Sequence, residues 1–120
     1  MNVTLSEYKK MVKKNKYHNV KVEYAGHKFD SKKECARFKE LAILEAVGEI
    51  CNIELQKRFP LITDQKNGKI EASYVADFFY MTKDGKKVIE DVKSKGTKTA
   101  LYKLKKKIML SKGFKIIEIE

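Results

Sequence analysis

The sequence predicts a mixed α/β fold in one domain: a small hairpin, then elements in the order α-β-β-β-α-β. Three observations point there. Apolar and polar residues alternate in short blocks bounded by Gly or Asn-Gly; two segments carry helix-capping signals at both ends; and no repeat or long polar tract interrupts the order. A chain of 120 residues is long enough to bury one apolar core and too short for two ordinary domains.

Residues 1–16 alternate Lys with Val, Leu, Met and Tyr, and read either as a short basic helix or as a basic arm ahead of the domain at 17–120. Val20 to Tyr24 and His27 to Phe29 alternate in period two around Ala25-Gly26, the pattern of a hairpin. Ser31 is a good N-cap, Glu34 stands three residues on as in a capping box, and Gly48 follows Leu44-Glu45-Ala46-Val47, so residues 32–47 form a helix. Ile50 to Ile62 alternates and carries Pro60 near its far end, as an edge strand tolerates. Asn67-Gly68 turns the chain into Ala72 to Met81, rich in aromatic and β-branched residues. Lys83-Asp84-Gly85-Lys86 turns it again into Lys87 to Lys93, making a second hairpin. Ser94 to Lys98 is a polar loop, and Thr99 caps a helix whose Leu101, Leu104 and Ile108 recur at helical spacing. Gly113 ends that helix before the strand Phe114 to Ile119.

The net charge of +11 favours a polyanionic partner, nucleic acid first among them. A membrane surface is disfavoured because no segment pairs a Lys-rich face with a broad apolar one. No apolar run approaches the roughly 18 residues of a membrane span, and no apolar segment follows the N-terminal lysines as in a signal peptide, so a cytoplasmic protein is expected. Cys35 and Cys51 read as reduced core thiols; His18 and His27 lack the spacing that would recruit them into a zinc site.

An acid, any residue, then Lys occurs five times in this Lys-rich chain. Glu7-Tyr8-Lys9 lies in the basic arm, Asp30-Ser31-Lys32 at a helix start, and Asp64-Gln65-Lys66 and Asp84-Gly85-Lys86 in turns, where such residues are ordinarily solvated. Only Asp91-Val92-Lys93 closes an apolar strand, and there period two puts acid and lysine on one face. The preceding strand holds a second unusual acid, Asp77, within Tyr74-Val75-Ala76-Asp77-Phe78-Phe79-Tyr80. A carboxylate in such company requires a cation or hydrogen bonds to offset its desolvation.

The turn decides what meets it. If Lys83-Asp84-Gly85 is a three-residue loop with a Gly bulge, Thr82 pairs with Lys86, Asp77 falls opposite Asp91, and both share a face with Lys93. If Asp84-Gly85 is a two-residue turn, Asp77 opposes Val92 and shares a face with Glu90. In the first case two carboxylates at about 5 Å repel unless a hard divalent cation sits between them. Mg²⁺ suits such oxygen ligands, and a lysine alongside can orient a water or offset charge developing on a phosphate.

In these residues the chain resembles the PD-(D/E)xK nuclease superfamily, particularly its small, basic, phage-borne members, over roughly residues 17–119. The motif residues correspond to Asp77, Asp91 and Lys93; Ala76 stands where the family has Pro. The resemblance implies a restriction-endonuclease-like core, with a four-stranded mixed sheet flanked by helices, and Mg²⁺-dependent cleavage of DNA, with Mn²⁺ expected to substitute. It further implies a helix acid at Glu34 as a third metal-site residue and a strand glutamine at Gln56 near the phosphate. Branched DNA of the Holliday-junction kind, in phage recombination, repair or processing in a host cytoplasm, is the substrate it suggests. Homodimeric action is likewise implied, although no dimerisation signal is visible in the chain.

Each residue also has a plainer reading. Asp77 and Asp91 are alternatively rim carboxylates bonded to nearby lysines, Lys93 a solvated strand-end lysine, Glu34 a capping-box residue and Gln56 a polar strand residue. Lys95, Thr97 and Lys98, beside the site, are the expected DNA contacts; Lys103, Lys106 and Lys107 divide between phosphate track and solvated face. Tyr102 reads as core in preference to a base-stacking residue, and Glu90, on the opposite face, as a salt-bridge partner. No element for reading bases in a groove is evident, which favours structure-specific over sequence-specific cleavage. A non-catalytic basic DNA-binding module is the alternative, and a protein that binds acidic proteins a weaker third.

Overall fold

A computed structural model describes residues 21–94 and 98–120, and the chain divides into two compact units, residues 1–38 and 39–120. In the first, β1 (Val22–Tyr24) and β2 (His27–Phe29) pair antiparallel with Val22 opposite Phe29. Ala25 and Gly26 both take positive φ, 52° and 80°, as a two-residue hairpin turn of matching twist demands. Helix α1 (Lys32–Ala46) begins in this unit. Ser31 Oγ accepts the Glu34 N–H at 3.1 Å, satisfying one of the helix's orphan donors. The Phe38 ring meets those of Phe29 and His27 at 5.2 and 5.4 Å, which seats the hairpin on the helix start. The far end of α1 closes in a Schellman motif: Gly48 sits at φ 81°, Gly48 N–H reaches Glu45 O at 3.1 Å and Glu49 N–H reaches Leu44 O at 2.9 Å.

The second unit contains a four-stranded sheet in the order β3 (Ile50–Thr63), β4 (Ile70–Thr82), β5 (Lys87–Val92), β6 (Ile116–Ile119). The first two pairings are antiparallel and β5–β6 is parallel, joined by a crossover through α2 (Ala100–Ser111). This is the expected mixed sheet and element order. Pro60 is accommodated because β3 lies at an edge. Thr99 caps α2, its Oγ1 accepting the Tyr102 N–H at 3.1 Å. Phe59, Leu61, Tyr74, Ala76, Ile89, Tyr102, Met109 and Ile116 form the core between α2 and one sheet face.

The structure corrects two expectations. The buried stripe of α2 is Tyr102 and Met109, whereas Leu101 and Leu104 stand 60% and 55% exposed. Both sets fit a helical period, and the sheet covers the side of α2 that carries Tyr102 and Met109, against which Ile108 also packs. Cys35 is buried as expected, but Cys51 is an exposed thiol, because its strand is an edge and alternation alone does not say which face is covered. Among the described residues no helix is long and apolar enough to cross a membrane.

Along β4, Tyr74, Ala76, Phe78 and Tyr80 are buried in alternation; Tyr74 and Ala76 join the core against α2, and partly buried Phe79 also packs on it. Asp77 lies between Ala76 and Phe79.

Candidate active site

Three strands converge on Asp77 and Asp91. The turn between β4 and β5 takes the three-residue form: Thr82 N–H bonds Lys86 O at 2.8 Å, Gly85 N–H bonds Thr82 O at 2.9 Å, and Gly85 adopts φ 83°. The resulting register runs from Met81 opposite Lys87 to Phe78 opposite Glu90, and its continuation brings Asp77 to the level of Asp91. The paired ladder stops at Phe78, and beyond it the Asp77 side chain substitutes for a backbone partner: Oδ2 accepts the Val92 N–H at 2.8 Å. On the other side Gln56 lies between the pairs Leu55–Phe78 and Lys57–Ala76, hence across from Asp77, and its Nε2 stands 3.4 Å from Oδ1. Gln56 holds φ 52°, a left-handed conformation that costs a non-glycine residue on the order of 1 kcal/mol or more.

Asp91 lies deeper, 5% exposed on the core side of β5. Its Oδ2 accepts the Tyr74 hydroxyl at 2.5 Å and faces Lys93 Nζ at 3.4 Å. Both contacts fall on one oxygen, which leaves Oδ1 for a ligand. Lys93 is the residue past the end of β5, and its N–H bonds Ile119 O at 2.8 Å, so β6 anchors its backbone. Its ammonium lies 3.8 Å from the centre of the Tyr102 ring, close enough for a cation–π attraction. Carboxylate and aromatic face thus fix Nζ from two directions.

Behind this pair is a second layer. Glu118 of β6 pairs in register with Asp91. Its Oε2 accepts the Tyr102 hydroxyl at 3.0 Å, and its Oε1 meets Lys106 Nζ at 2.9 Å and Lys98 Nζ at 3.7 Å. Lys106 first, then the Tyr102 hydroxyl, hold the Glu118 carboxyl below the usual glutamate range. The hydrogen bond to Glu120 at 2.6 Å raises Lys98 above its ordinary value. Burial, then the bond to Asp91, pushes the Tyr74 hydroxyl far up; burial and Glu118 do the same for Tyr102. Both tyrosines are therefore donors throughout the working pH range.

The sequence points to Asp77, Asp91, Lys93 and Gln56, and the fold gathers these four around the end of the β4–β5 pairing. Glu34 belongs to the other compact unit, where its N–H serves the Ser31 cap and its side chain is buried. Of the lysines expected at DNA, Lys98 and Lys106 engage Glu118, and Lys103 and Lys107 are exposed on α2. Lys95 and Thr97, like the N-terminal arm, lie outside the described residues. Glu90 does face away from the site, almost wholly buried, and takes the Tyr80 hydroxyl on Oε2. Sequence reasoning misses Tyr74 and Glu118. Glu118 carries the same signal that marks Asp77, an acid flanked by Ile117 and Ile119 in an apolar strand.

Among the described residues no group of three or more His, Cys, Asp or Glu side chains converges to hold a metal ion. Asp77 and Asp91 stand at the same level of neighbouring strands, and Gln56 turns its amide nitrogen to Asp77. Carboxylates are hard oxygen ligands of the kind Mg²⁺ takes, which commonly uses one or two of them and completes its shell with water and substrate phosphate. The donor chemistry therefore fits a divalent cation held chiefly by Asp77 and Asp91. The chain matches no curated protein and no solved structure. A family model described as "Protein of unknown function (DUF1064)" matches residues 14–119, and the chain belongs to that family.

Proposed function

We propose that this protein is a Mg²⁺-dependent endodeoxyribonuclease of the PD-(D/E)xK kind, acting on branched or otherwise structured DNA. The observation that carries the reading is the Asp91–Lys93 pair held at 3.4 Å beside the point where Asp77 replaces a broken ladder bond. Bound at Asp77 and Asp91, Mg²⁺ would supply Lewis-acid polarisation of a phosphodiester and a more acidic water. The protein's own part is positional. Asp77 is fixed by the Val92 N–H, Asp91 by the Tyr74 hydroxyl, and Lys93, 14% exposed in its side chain, presents an immobilised ammonium that orients water or offsets charge on the phosphate. The net charge of +11 supports a nucleic-acid substrate. The family resemblance supports junction-like DNA, cleavage by a homodimer, and Mn²⁺ as a substitute metal.

The test is incubation of wild type, Asp91→Asn and Asp91→Ala with linear, flap and four-way DNA, with and without Mg²⁺. Wild type should cut branched DNA, and EDTA or either substitution should abolish cutting, with Asp91→Asn retaining DNA affinity. Wild type that binds DNA tightly and never cuts would instead identify a non-catalytic DNA-binding module.

A further inference from the structure

Tyr74 is 3% exposed, in the middle of the core face of β4. A phenylalanine would fill that volume equally well, and the hydroxyl must find a partner if it is to be buried at all. Its partner is Asp91 Oδ2, on the neighbouring strand and 17 residues away in sequence, at 2.5 Å. Lys93 Nζ approaches the same oxygen at 3.4 Å. With two donors on one oxygen, rotation of the carboxylate about its Cβ–Cγ bond is restrained and Oδ1 keeps one direction.

We infer that Tyr74 is a positioning residue for the metal site: its hydroxyl locks the Asp91 carboxylate so that Oδ1 is presented to a divalent cation. This rests on the nuclease reading, since it assigns Asp91 as a ligand. Hydrogen-bonding partners of metal-binding carboxylates hold the ligand's direction, and their loss typically costs about 10- to 100-fold in metal affinity. Tyr74 touches neither metal nor substrate; it acts through Asp91.

The experiment measures Mn²⁺ binding to the whole protein without DNA, from the electron paramagnetic resonance of the unbound ion, for wild type, D91N, Y74F and the double variant. Wild type should bind better than D91N, and Y74F should weaken binding by about tenfold, with its thermal midpoint within a few degrees of wild type. Adding Y74F to D91N should change nothing further, because the hydroxyl then has no ligand to hold. A general packing defect would persist in that background, and that result overturns the inference. So does Y74F binding Mn²⁺ as wild type does, which would leave the nuclease reading standing. Wild type binding no better than D91N would remove the metal site and this inference with it. As a check that keeps the hydroxyl, 3-fluorotyrosine at position 74 should give a ¹⁹F resonance that shifts with Mg²⁺ in wild type and not in D91N; an unresponsive resonance in wild type also overturns the inference.

Discussion

Glu118 shows how much one side chain can organise. It accepts from Tyr102, whose ring carries Lys93, and it neutralises Lys106 and Lys98, so its charge is felt at the site without contact. Its carboxyl lies lower in the folded chain than in the unfolded one, where a glutamate titrates near about 4.3. The stabilisation is therefore fully present above that unfolded value and is lost as pH falls through the folded one. Glu118→Gln should lower stability at neutral pH by no more than about 1 kcal/mol, since Lys106 is partly solvated. It should also flatten the decline of the thermal midpoint with acidification below the ordinary glutamate range. Thermal melts from neutral pH down to about 3 check both, and an unchanged acid limb would remove Glu118 from this role.

At the scale of elements, the decisive feature is a left-handed residue in β3 opposite Asp77 of β4. Gln56 at φ 52° lies across from Asp77, and strain of this kind is held where surrounding structure over-determines it. Gln56→Gly removes the penalty of the left-handed conformation while losing the amide beside Asp77. Stability should be unchanged or higher by up to about 1 kcal/mol, read as the urea midpoint, whereas DNA cleavage should fall severalfold. A variant that is both less stable and fully active would mean that the bend is incidental. The bend is not legible in the sequence, because Leu55-Gln56-Lys57 alternates like any other strand segment. The turn is legible: Gly85 makes the three-residue loop one of two choices, and that loop sets the register that brings Asp77 to Asp91.

For the molecule as a whole, charge is the dominant physical fact. With a formal +11 and two exposed lysines on α2, Lys103 and Lys107, binding to DNA should be governed by release of counterions from phosphate. Affinity for any duplex should fall by at least about tenfold between 50 and 200 mM salt. The proposed preference for branched over linear DNA should survive that change if shape is what is read. Fluorescence anisotropy across a salt series measures this, and a salt-insensitive affinity would point away from a backbone-tracking surface. Lys98 and Lys106 should contribute little to the slope, since Glu118 already engages them, and Lys103 and Lys107 more.

The local code of this chain determined its elements. Caps at Ser31 and Thr99, glycines at the turns and the alternation of apolar residues act over a few positions, and the hairpin, helices and strands follow from them. The same reasoning isolated Asp77, Asp91 and Lys93, because charge inside an apolar strand is costly wherever the strand goes. Tertiary structure alone decided which face of α2 is buried, that Cys51 is exposed, and that Tyr74, Tyr102 and Glu118 stand behind the Asp91–Lys93 pair. Those outcomes depend on contacts between residues far apart in sequence, and periodicity within one element carries no information about what packs against it.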